Sequence, residues 1–135
     1  MARVRGRDTR PELTVRRALW AAGLRYRLHD KRLPGRPDIV FTSRRIVVFV
    51  NGCFWHGHDG CPRHRIPKSR VAWWTAKIRR NIERDAEVCA ALEAAGWKVL
   101  VLWECESEIP ARVEALASAI AAMPPLAIRR PPMKA

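Results

Sequence analysis

The sequence contains no apolar run approaching the roughly 18 residues that a membrane-spanning helix needs. Its opening stretch, "MARVRGRDTR", has no hydrophobic segment of the kind a secretory signal carries. Both absences point to a cytoplasmic protein. Acidic residues are scarce: 13 Asp plus Glu stand against 26 Lys plus Arg, a formal net charge of +13. That imbalance disfavours cationic partners and favours a polyanion. Nucleic acid is the commonest one, since each neutralised phosphate releases condensed counterions, and an anionic membrane surface is the competing choice. There is no internal repeat, which argues against a solenoid. Cysteine is limited to four residues, at 53, 61, 89 and 105; in a reducing compartment such a set more often signals a metal than a disulfide framework. With 135 residues the chain can bury a core of its own as one domain.

Thr9 and Glu12 have capping-box spacing, and Leu13, Ala18, Leu19 and Ala22 supply an apolar face, so a helix is expected over residues 10–22, stopping at Gly23. "RLPGRPD" reads as a turn-rich approach to a strand. The runs "DIVFT" and "RIVVFV" are β-branched and aromatic and predict neighbouring strands, the second nearly all apolar and hence central in its sheet. After a Cys/His-rich loop, "SRVAWWTAKIRRNIERDAEVCAALEAAG" has a Ser to cap it, no internal Pro or Gly, and a terminal Gly96, the marks of one long helix. "WKVLVLW" predicts a third buried strand, and "ARVEALASAIAAM" a final amphipathic helix. The order predicts an α/β fold: a small mixed β-sheet flanked by helices on both faces. Residues 1–122 are expected to form the domain, and the Pro-rich basic tail, 123–135, to stay disordered.

The loop "NGCFWHGHDGC" carries the densest chemistry. Cys53, His58 and Cys61 are donors of the soft and borderline type that tetrahedral zinc prefers, and Cys105 could complete a closed, structural site. The competing reading makes all four cysteines small buried hydrophobes; Cys89, between Val88 and Leu92, fits that reading best. His56 is left without a role in such a site.

Asp38 stands where the chain enters a strand. It could hold a hard cation such as Mg²⁺ through oxygen, beside the backbone of Val50, or cap its own turn. Asp85 falls on the helical stripe of Ile78, Ile82, Cys89 and Leu92, where an unpaired charge is costly. It must therefore meet an Arg, a His or bound water. Glu12 is ambiguous because its capping role already accounts for it. Phe54, Trp55 and one of Trp73 and Trp74 could wedge between bases, as apolar side chains do in proteins that kink DNA, or could be core.

Taken together, "RDTRPE", "LPGRPDIVF", "NGCFWHGHDGC", "WWTAKIRRNIERD" and "GWKVLVLWEC", in this order, resemble the very-short-patch-repair (Vsr) DNA mismatch endonucleases, over about residues 3–106. The resemblance implies a restriction-endonuclease-like core, a structural zinc site, and an enzyme that nicks one strand of duplex DNA 5′ to the T of a T·G mismatch, the product of 5-methylcytosine deamination. It implies Asp38 and the Val50 backbone carbonyl as Mg²⁺ ligands and His56 as general base. Glu12 and Asp85 match positions that support the cation's waters or the histidine. Cys53, His58, Cys61 and Cys105 match the zinc ligands, and Phe54, Trp55 and Trp74 the intercalating aromatics; Asn81 lies in a motif with a supporting role. The implied setting is bacterial and nucleoid-associated, with mismatched double-stranded DNA as partner, contacts to mismatch-repair proteins, no membrane, and a monomeric enzyme.

Four departures accompany the resemblance. Val50 stands where some members carry Thr or an acid, and one extra residue lies between His58 and Cys61, which Gly60 could absorb. The motifs begin almost at Met1, leaving little of the family's minor-groove arm. The (D/E)xK signature of the fold is absent after Asp38, with His56 in place of the Lys. Two further readings remain: a zinc-stapled basic DNA-binding module without catalysis, and a nuclease of the same fold serving restriction or homing.

Overall fold

The computed structural model describes residues 9–123 and Pro125. Helix α1 (Arg10–Ala21) begins where the Thr9 hydroxyl accepts the Glu12 N–H at 3.4 Å, with Pro11 in its first turn. Its buried face is Glu12, Val15 and Leu19, an i, i+3, i+7 stripe. The expected stripe through Leu13 and Ala22 is rotated from this one, and the carboxylate of Glu12 lies on the inward side.

Four strands form one sheet in the order β1 (Arg27–Leu28), β2 (Ile39–Phe41), β3 (Ile46–Asn51), β4 (Lys98–Trp103). β2 pairs antiparallel with both β1 and β3, and β3 pairs with β4 in parallel. The sheet is therefore mixed, as expected. The parallel step is made by a long crossover that contains helix α2 (Val71–Ala94). α2 starts at Arg70 in the left-handed region without a side-chain cap, so the expected Ser cap is not used. A one-turn helix, α3 (Glu104–Ser107), follows β4 directly, and α4 (Pro110–Ala121) ends the fold.

Strand alternation divides the core into two layers. Ile39, Phe41, Ile46, Val48 and Leu102 face α1 and α4, packing with Val15, Leu19, Val113, Leu116 and Ile120. Val40, Val47 and the half-buried Phe49 and Val99 face α2 through Val88 and Leu92. Helices thus cover both faces. β4 departs from expectation: it is the edge strand, and Val101 is 38% exposed. Ile82, expected on the buried stripe of α2, is 45% exposed; its side chain lies beside Gly57 of the loop. No helix among the described residues is long and apolar enough to cross a membrane. The tail expected to be disordered, 123–135, lies outside the described residues apart from Met123 and Pro125.

Candidate active site

Asp38 sits one residue before β2, at the open end of the β2–β3 ladder. Its Oδ2 accepts the Val50 N–H at 2.7 Å, so the carboxylate takes the place of the next ladder bond and is fixed against β3. Burial pushes the Asp38 pKa from 3.8 up to about 6; the Val50 N–H opposes the rise, the Glu12 carboxylate adds to it, and His29 and His56 oppose it. A carboxylate in that state gains from a nearby cation.

Glu12 reaches the same point from α1. Its side chain is 2% exposed, with Oε2 at 2.7 Å from His29 Nε2 and 3.1 Å from Arg16 Nη1. His29 follows β1 in a left-handed conformation (φ 45°), and its N–H donates to the Asp38 carbonyl at 3.2 Å. The donor atoms of Glu12, His29 and Asp38 all lie within 4.8 Å of one another, so a divalent cation fits between them. Val50 lines the clefts on both sides of Asp38.

The expected histidine arrives from the loop after β3. His56 Nδ1 is 2.6 Å from Asp85 Oδ2 on α2. An ionised carboxylate only accepts, so the proton of this bond lies on Nδ1, and in the neutral ring Nε2 is the lone-pair nitrogen. Asp85 therefore meets a histidine, one of the partners the sequence allowed. The loop is fastened to α2 by Asn81 Nδ2, which donates to the Trp55 carbonyl at 2.9 Å. It also packs tightly there: Gly57 has φ +63°, and a Cβ on it would lie 2.7 Å from Ile82 Cδ1. A side chain between the two histidines would force Ile82 to shift and strain the backbone, so glycine is favoured there. Two clefts meet at Asp38, Val50 and His56, one of about 620 Å³ that includes His29, Arg36 and Asn51, the other of about 420 Å³ that includes Glu12, Phe54 and Trp55.

Cys53, His58, Cys61 and Cys105 converge behind this loop, with all donor atoms within 4.8 Å and no disulfide. His58 Nδ1 is 3.5 Å from Cys105 Sγ. Tetrahedral zinc with bonds of about 2.0–2.3 Å spaces its ligands about 3.3–3.8 Å apart, so the set is close to a zinc cage. Burial pushes the Cys53 thiol up to about 12, whereas the Arg63 N–H holds Cys61 below its usual range; a buried thiolate needs a cation to offset it. The His58 ring is stacked on Trp103, centroids 4.1 Å apart. Cys105 lies on α3, two residues beyond the end of β4. Cys89 is half-buried beside His56 and Asp85 and is not part of the core.

Phe54, Trp55 and Trp74 form one aromatic cluster, with centroid distances of 5.1, 5.3 and 5.7 Å. None of the three is buried. Neither Trp73 nor Trp74 enters the core: Trp73 is 47% exposed, under the Arg70 guanidinium.

Every residue expected at the site is thus brought to one end of the sheet. His29 and Glu104 were not anticipated. The latter accepts the Cys53 N–H at 3.2 Å and joins the smaller cleft. His29 lies in a polar stretch, "RLHDK", with no periodicity or motif to mark it.

The sequence model of the family described as DNA mismatch endonuclease Vsr matches residues 1–63. The type II nicking enzyme V.XorIIP of Xanthomonas oryzae pv. oryzae is 57% identical over 106 residues, covering 78% of this chain and 77% of the relative. V.NmeAIP, a type II nicking enzyme of Neisseria meningitidis serogroup A, is 47% identical over 78% of this chain and 75% of its own. The DNA mismatch endonuclease Vsr of Escherichia coli K12 is 42% identical, covering 78% of this chain and 67% of the relative. With relatives this similar over 78% of its length, the chain belongs to the Vsr family of DNA mismatch endonucleases.

Proposed function

We propose that this protein is a Mg²⁺-dependent endonuclease that nicks one strand of duplex DNA 5′ to the T of a T·G mismatch. The observation that carries the reading is the convergence of a half-buried Asp38, a His56–Asp85 pair at 2.6 Å and an aromatic cluster on two joined clefts. In this reading His56 Nε2 takes the proton of the attacking water as its oxygen bonds to phosphorus and the sugar oxygen leaves. Asp85 keeps the ring in the required tautomer and stabilises the imidazolium that forms. A divalent cation held by Asp38, with the Val50 carbonyl and Glu12 in support, would offset charge building on the phosphate.

Phe54, Trp55 and Trp74 would enter the stack beside the mismatch, which unstacks more readily than a matched pair and so favours cutting there. Zinc on Cys53, His58, Cys61 and Cys105 would be closed to substrate and hold the loop that carries both His56 and the aromatics. The excess of basic residues suits duplex phosphates. The protein would act as a monomer, in the bacterial cytoplasm on nucleoid DNA.

The test is nicking of end-labelled T·G and T·A duplexes with Mg²⁺. Selective cutting 5′ to the mismatched T is expected; equal cutting of both, or none, overturns the proposal. Type II nicking relatives favour flanking-sequence dependence as a second variable in the same assay.

A further inference from the structure

His29 lines the larger cleft, and the proposed mechanism leaves it unused. Its Nε2 is buried and lies 2.7 Å from Glu12 Oε2, yet the contact lacks hydrogen-bond geometry, so the nitrogen has no hydrogen-bond partner. A buried ring nitrogen is seldom left in that condition without a reason. The backbone makes the placement deliberate. His29 occupies the left-handed region, uncommon for a residue with a side chain, and is held there by its N–H bond to the Asp38 carbonyl, directly beyond the Leu28–Ile39 pair. The imidazole, the Glu12 carboxylate and the Asp38 carboxylate are thereby presented to one point within 4.8 Å of each other. Two ligands at right angles on a cation with bonds of about 2.1 Å sit about 3 Å apart, the spacing that His29 and Glu12 already have.

We propose that His29 is a direct nitrogen ligand of the catalytic cation, and that Glu12, His29 and Asp38 form one mixed nitrogen–oxygen site that favours Mn²⁺-class ions over Mg²⁺. The inference rests on the reading of the Asp38 cleft as the cation site. Its chemical basis is ligand type: imidazole strengthens binding of first-row transition ions, whereas Mg²⁺ prefers oxygen and gains little from a ring nitrogen.

The test uses the full chain loaded with zinc, so that the thiolate site is filled before Mn²⁺ is added. Mn²⁺ binding is followed by electron paramagnetic resonance and Mg²⁺ binding by competition, in wild type, His29→Gln and His56→Gln. Wild type and His56→Gln are expected to show a nitrogen coupling to bound Mn²⁺ in pulsed spectra, and His29→Gln to lose it. That substitution should weaken Mn²⁺ at least about tenfold and Mg²⁺ much less, a change in selectivity that loosened packing alone would not produce. Unfolding curves establish that each variant folds, and His29→Asn replaces His29→Gln if it does not. Bound Mn²⁺ without nitrogen coupling in wild type, or coupling that vanishes only in His56→Gln, overturns the role of His29 and leaves the cation site standing. Absence of Mn²⁺ binding overturns both. Failure of T·G nicking with His29-coupled Mn²⁺ in place would count against the proposed function alone.

Discussion

Replacing Asp38 with Asn should abolish cation binding and, without a divalent cation, make the protein more stable. The carboxylate has its pKa pushed from 3.8 to about 6 in the fold, mainly because burial penalises the charge. The folded chain therefore holds this proton more tightly than the unfolded chain. It binds more protons between about pH 4 and 6, and its stability falls as pH rises through that window. The gap from 3.8 to about 6, at about 1.4 kcal/mol per pH unit, amounts to about 3 kcal/mol above pH 7 and roughly half that at pH 5. An Asn amide keeps an oxygen for the Val50 N–H and removes the buried charge, so most of that cost disappears. For a domain of this size the gain corresponds to a melting temperature higher by roughly 5–10 °C. The assay is thermal unfolding by circular dichroism from pH 5 to 8, with zinc content verified at each pH and magnesium omitted. Millimolar Mg²⁺ should then raise the melting temperature of the wild type and leave Asp38→Asn unchanged. A variant that melts at or below the wild type at pH 7.5, or a difference that does not narrow toward pH 5, would refute the account of Asp38 as a carboxylate strained by burial.

Asp85→Asn should lower the single-turnover nicking rate by about 10²–10⁴ while leaving duplex affinity nearly intact, because it loses the tautomer control of His56 and not a DNA contact; matched rate and binding titrations separate the two. Gly57→Ala should cost about 1–2 kcal/mol in unfolding experiments, from its φ of +63° and the crowding of Ile82 and Ile78, with Ile82→Ala in the same chain recovering part of it. Cys61→Ser should release zinc, measured by elemental analysis, and lower stability by several kcal/mol as the loop loosens. Phe54→Ala should reduce the preference for T·G over T·A duplex by about tenfold, the equivalent of one lost base-stacking contact, in competitive nicking of the two substrates.

How much of this site was legible in the sequence depends on whether a residue's role is set by near neighbours or by strand register. The zinc ligands of the loop are readable because Cys53, His58 and Cys61 lie within nine residues and their donor types already restrict the chemistry. Asp85 was legible as an anomaly, a carboxylate on an apolar helical stripe, although that stripe did not reveal which partner resolved it. The helix from Val71 and the strands at Ile39, Ile46 and Lys98 follow from period and composition. The two-residue strand Arg27–Leu28 does not: both of its side chains are exposed, so it carries no alternation, and only its pairing with Val40 and Ile39 defines it. That pairing is also what places His29 beside Asp38. A histidine's position here is a consequence of antiparallel register across a turn with two prolines, a non-local property that no window of sequence expresses. The same argument explains β4. Its six residues, Lys98–Trp103, read as a buried strand because only Lys98 among them is charged, but its parallel pairing with β3 leaves it at the edge, with Val101 exposed. Composition indicates what a strand can bury, and topology decides what it does bury. Glu12 shows the two levels acting on a single residue, since its backbone N–H begins α1 through Thr9 while its carboxylate is turned inward to His29. The capping spacing was therefore right about the helix and silent about the chemistry.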